Sequence, residues 1–177
     1  MSKIEELVDR IAQREQEVAQ AQATAREAAT AWAQDVHALY ARIVEWLAPL
    51  TQPGYVQVDI RPEARVENVV GVEGSVPYEV EELRLTGKMS LVLEPPPLVP
   101  GSERFIEVYR DRSDLPIARL VRRQGGWLVQ LREIASTPAP GIADEQPLDA
   151  DVFGLLLERA MEPPAERVRP GMDDHAH

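Results

Sequence analysis

The stretch SKIEELVDRIAQREQEVAQAQATAREAATAWAQDVHALYARIVEWLAPL, residues 2–50, decides the architecture of this chain. Every seventh residue from Ile4 is apolar: Ile4, Ile11, Val18, Ala25, Trp32, Leu39 and Trp46. Residues seven apart stay on nearly one helix face, drifting by about 20° per repeat. A second apolar column follows that drift. It starts at the fourth heptad place with Leu7, Ala21 and Ala28, then passes to the fifth with Ala29, Val36 and Ile43. A strict coiled coil holds both columns in place, so the pattern predicts one long, straight or gently curved amphipathic helix.

The ends of that helix are marked. Ser2 and Glu5 have the spacing of a capping box, and Pro49 followed by Gln52-Pro53-Gly54 stops the helix and turns the chain. Such a helix is on the order of 70 Å long at 1.5 Å per residue, far beyond the usual ten to fourteen residues. A domain of this size has nothing long enough to cover it. Part of the apolar column is therefore expected to meet another chain, or the helix to break in the alanine-rich segment 19–33. Alanine there suits close helix pairing, and it is also simply the best helix former.

Side-chain size divides the helix. Trp32, Val36, Leu39, Tyr40, Ile43, Val44 and Leu47 are its bulkiest apolar set and belong against a sheet. Ile4, Leu7, Val8, Ile11 and Val18 are spaced among charges and have no evident partner in the chain; they are the predicted oligomerisation or docking residues.

Periodicity then changes from seven to two. Val56, Val58 and Ile60 alternate with polar residues, a half-buried strand that Pro62 should end. Residues 63–77, broken by Gly71, Gly74 and Pro77, read as a short irregular strand or a loop. Leu83 to Leu93 alternate again, with Gly87 marking a bulge, a close approach or a hairpin turn. Residues 104–110 make another strand. Ile117–Arg123 and Trp127–Arg132 flank Gln124-Gly125-Gly126, a β-hairpin signature because the tight turn needs positive φ. Residues 134–147 read as a linker, and Asp149 caps a last helix carrying Val152, Phe153, Leu156, Leu157 and Ala160.

These elements predict an α+β fold: a long N-terminal helix, an antiparallel sheet of four to six strands in a meander of hairpins, and a short C-terminal helix. Residues 1–30 would be the projecting part of the helix, 31–162 a single α+β domain, and 163–177 a disordered tail.

The 177 residues suffice for one core, and 44% hydrophobic with 28% charged residues places the chain among ordinary globular proteins. Neither a membrane span nor an export signal is legible, so a cytoplasmic location is the default expectation. The absence of cysteine excludes disulfides, thiol nucleophiles and cysteine-based zinc sites. The net charge of −11 divides as −3 over residues 1–50, −2 over 51–133 and −6 over 134–177. The acidity is therefore a feature of the C-terminal region, where it suits a solvated tail more than a nucleic-acid mimic.

Catalytic chemistry has little support. His37 stands without a partner motif, and Asp173, Asp174, His175 and His177 lack a rigid frame to hold a metal. Glu79, Glu81 and Glu82 are neighbours in sequence, which does not make them converge across a cleft. Phosphate-loop, dinucleotide-binding and nucleophile-elbow spacings are missing. No catalytic residue, cofactor or metal is therefore assigned. The stronger candidates are Arg110, Arg112, Arg119, Arg122 and Arg123, which antiparallel pairing could gather for anion or nucleic-acid contact. A charged outer sheet face that deters edge pairing explains them more simply.

The leading expectation is a non-enzymatic interaction or adaptor protein, acting through its projecting helix as a dimer or as an accessory subunit of a larger complex. Two alternatives rank below it. One is an acidic chaperone, immunity or antitoxin-like protein that masks a partner, and the other a nucleic-acid accessory factor using the hairpin arginines. A membrane partner is not expected.

Overall fold

The computed structural model describes residues 2–69, 74–99, 101–110, 113–131 and 145–161. Helix α1 runs unbroken from Lys3 to Trp46, through the alanine-rich segment. Its first turn is closed as the sequence predicts: Glu5 N donates to Ser2 Oγ at 3.2 Å, and Ser2 N donates to Glu5 Oε2 at 2.6 Å. Leu47 caps the other end, and a single further turn, α2 (Ala48–Thr51), begins there. Pro49 lies in the first turn of α2, where a missing N–H costs nothing.

Among the described residues seven strands follow in the order of the chain: β1 (Val56–Asn68), β2 (Ser75–Gly87), β3 (Leu91–Glu94), β4 (Phe105–Arg110), β5 (Pro116–Arg123), β6 (Gly126–Leu131) and β7 (Glu145–Pro147). They form one antiparallel meander in which each strand pairs with the next. Helix α3 (Ala150–Met161) closes the described chain, with Val152 N donating to Asp149 Oδ1 at 2.8 Å at its start. The α+β class and the order helix, antiparallel sheet, helix are those the periodicity predicts, with one strand more than the upper expectation.

The differences have local reasons. β1 does not stop at Pro62 but continues to Asn68, paired with β2 from Val56↔Gly87 to Asn68↔Ser75. β1 is an edge strand, so proline can turn its donor-free side away from the one neighbour it has. Pro77 sits in β2 where β3 no longer pairs, since the β2–β3 ladder covers only Leu83–Leu85. Pro95-Pro96-Pro97 has no N–H to extend that ladder. The result is a two-stranded arm, residues 62–68 against 75–81, reaching past the sheet. The segment expected to be a linker ends in β7, which pairs Gln146 with Val129.

Gly87 combines the close approach and the hairpin. Its φ is +127°, and a Cβ there would lie 2.5 Å from the Tyr55 carbonyl oxygen. Between β4 and β5 the register shifts by one, from Val108↔Ala118 to Tyr109↔Pro116, leaving Ile117 as the extra residue of a bulge. Both Ile117 and Ala118 are buried as a consequence.

One core joins the layers. Trp32, Val36, Leu39, Tyr40 and Ile43 of α1 pack with Leu83, Leu85, Leu91, Leu93, Ile106, Val108, Leu120 and Val129 of the sheet and Phe153 and Leu156 of α3. Trp32 meets Trp127 at 5.7 Å between ring centroids, and Trp46 meets Phe153 at 6.0 Å. The Tyr40 hydroxyl donates to the Leu93 carbonyl at 2.9 Å, satisfying a polar group that α1 carries into the core. Burial pushes the Tyr40 phenol well above its ordinary range, with the Glu82 and Glu81 carboxylates adding to it.

Candidate docking helix

Lengths decide where α1 leaves the domain. The arm and its continuation span about 41 Å, twelve steps of roughly 3.4 Å. Gly74, the residue just before β2 in the arm, lies beside Gln22, with 3.2 Å between a Cβ built there and Gln22 Nε2. From Gln22 to Trp46 the helix rises about 36 Å, matching the hairpin it accompanies. The nineteen residues from Lys3 to Ala21 add about 28 Å beyond that point.

Exposure follows the lengths. Ile4 is 74% exposed, Leu7 49%, Val8 57% and Ile11 51%, whereas Val36 and Ile43 are fully buried. Val18 is half-buried and lies with Ile11, Arg14, Glu15, Ala19 and Gln22 along a groove of about 370 Å³. The five predicted docking residues therefore share one stretch of helix, and the four nearest its start face solvent. Polar side chains here bond along the helix itself: Gln13 Nε2 donates to Glu17 Oε1 at 3.0 Å, and Thr24 Oγ1 to the Gln20 carbonyl at 3.1 Å. Groove residues Arg14, Glu15, Ala19 and Gln22 escaped the sequence reading, although their positions beside the Ile4–Ile11–Val18 column are legible.

The arginines are dispersed. Arg119 and Arg122 point to opposite faces of β5, as their parity requires. Arg119 pairs with Glu107 at 2.9 Å, its guanidinium 3.7 Å from the Phe105 ring centroid on the outer face. Arg122 reaches α1, pairing with Asp35 at 3.1 Å beside Trp127. Arg123 is held between Glu103 and Glu145. Arg110 donates to the Arg159 carbonyl near the end of α3, where a cation is favoured. Arg112 lies outside the described residues, as do Asp173, Asp174, His175, His177 and the tail 163–177.

Outer-face ion pairs extend the same pattern, with Arg65 to Glu94 at 3.2 Å and Arg84 to Glu82 at 3.0 Å. Each described arginine of the predicted patch is engaged by an acid or a carbonyl, which suits a self-neutralised face. The Tyr109 hydroxyl donates to Glu107 on that face. Burial and this hydrogen bond push the Tyr109 phenol up to about 12. His37 Nδ1 lies 3.1 Å from both carboxylate oxygens of Glu81, clamping α1 to β2. Among the described residues no group of three or more His, Asp or Glu is placed to hold a metal, and no helix is long and apolar enough to cross a membrane.

No family model, curated protein or solved structure matches this chain. Its functional reading therefore rests on these surfaces.

Proposed function

We propose that this protein is an interaction module that docks through the free end of α1, residues 3–21, as a dimer or as an accessory subunit of a larger assembly. The observation that carries the reading is the contrast along one helix. Trp32, Val36, Leu39, Tyr40, Ile43 and Leu47 are sealed in the domain, with Val44 of the predicted sheet-facing set exposed instead, while Ile4, Leu7, Val8 and Ile11 stand in water. In proteins most helical stability comes from packing an amphipathic face rather than from propensity, and this stretch has no such packing for Ile4 to Ile11 among the described residues. Apolar residues kept in register on such an extension gain burial only when a partner covers them. On this reading residues 3–21 are the docking element, and the rest of α1 with the sheet and α3 forms the domain that presents it.

Replacing Ile4, Leu7 and Ile11 together by Glu tests the proposal. Thermal unfolding and circular dichroism should show the domain intact, while self-association or co-purification of a further subunit is lost. A variant that keeps every association of the wild-type chain would refute the reading.

A further inference from the structure

We infer that the occupant of the free helix is a second copy of this chain, bound antiparallel over residues 4–21; the inference rests on the docking reading above. Three observations lead to it: the length of the free helix, the residues at its core places, and its charges.

The second column drifts only after Ala28, so between Ile4 and Ala21 the two columns keep heptad register. Ile4, Ile11 and Val18 occupy the first core place, and Leu7, Arg14 and Ala21 the second. In an antiparallel pair a residue of one kind meets one of the other. Aligning the free segments end to end places Ile4 over Ala21 of the second copy, Leu7 over Val18 and Ile11 over Arg14. Leu7 of the second copy would then enter the groove lined by Ile11, Arg14, Val18 and Ala19. The overlap ends at Ala21, one residue before Gln22 meets the arm.

Charge selects the direction. Arg10 and Glu17 flank the core on the same side of the helix. Antiparallel pairing sets Arg10 of each copy against Glu17 of the other, twice by symmetry. Arg14 crosses Ile11 of the second copy with its apolar stem and can extend its guanidinium to water. Parallel pairing would also offer Arg10 to Glu15, but it would place Arg14 against Arg14 inside the core. Like charges there are destabilising.

The contact is about 27 Å long for eighteen residues. It falls at the small end of specific interfaces, so a weak, concentration-dependent dimer is expected.

The chain has no cysteine of its own, which permits a direct test. Sedimentation of the full chain from about 5 to 500 µM should show a monomer–dimer equilibrium. Arg10→Glu and Glu17→Arg should each weaken it roughly tenfold, and the double exchange should restore it to within about threefold, because the pairs are merely inverted. The double variant Ile4→Cys/Ala21→Cys should oxidise to a covalent dimer, its disulfides joining position 4 of each copy to position 21 of the other. Ile4→Cys alone should give no covalent dimer. A chain monomeric throughout, a disulfide-linked dimer of the single variant, or failure of the double charge exchange to restore association would overturn the inference. If the chain is monomeric and another subunit is lost on the triple Glu substitution, the antiparallel dimer is wrong and the docking role stands.

Discussion

Leu39→Ala and Ile11→Ala, two large-to-small changes on the same helix, should differ sharply in cost. Leu39 is 1% exposed and packed in the core, so truncation removes its transfer energy and leaves a cavity, about 3 kcal/mol within a usual span of 2–5. Ile11 is half exposed, and alanine is the better helix former by a few tenths of a kcal/mol, so its net cost should lie within about 0.5 kcal/mol. Urea unfolding at about 2 µM, too dilute for a weak dimer, measures the folded monomer. With a slope near 2 kcal/mol/M, Leu39→Ala should lower the midpoint by about 1.5 M and Ile11→Ala by less than about 0.3 M. Equal losses at this concentration would mean that the N-terminal half is packed within its own chain, and the division of the helix would fail. A cost for Ile11→Ala that appears only on raising the protein concentration is the signature of self-association.

Four further outcomes follow from single positions. Gly87→Ala, with φ of +127° and Tyr55 O in the way, should cost about 2 kcal/mol or more. Gly125→Ala, which meets open space, should change the melting temperature little. Asp149→Ala removes the α3 cap and should cost about 1 kcal/mol, read by urea midpoint. In alkali, an unfolded tyrosine ionises near pH 10 and folded Tyr109 only near 12. That contribution is present below pH 10 and lost as pH rises through about 12, so Tyr109→Phe should flatten the fall in stability across this window.

Side-chain rhythm made much of the fold legible. The seven-residue column, the Ser2–Glu5 box, the Gly125-Gly126 hairpin and the Asp149 cap are local signals. Each resolves within a few residues, where hydrogen-bond geometry and burial periodicity leave little choice. Pro62 and Pro77 misled for the opposite reason. Their cost depends on whether a neighbouring strand needs the missing N–H, which is a property of strand order rather than of the dipeptide. β7 was hidden likewise, being three residues that pair only because β6 offers an edge.

The candidate site divides the same way. That Ile4, Leu7, Val8, Ile11 and Val18 form an apolar column was written in the sequence. That Ile4, Leu7, Val8 and Ile11 are exposed while Val36 and Ile43 are buried was decided by where the sheet and α3 lie along α1. The spelling of Arg119, Arg122 and Arg123 suggested a patch, but strand parity and the acids at Asp35, Glu103 and Glu107 dispersed it. Local sequence determines which face of an element is apolar. Only tertiary structure determines what covers that face, because cover is supplied by residues distant in the chain.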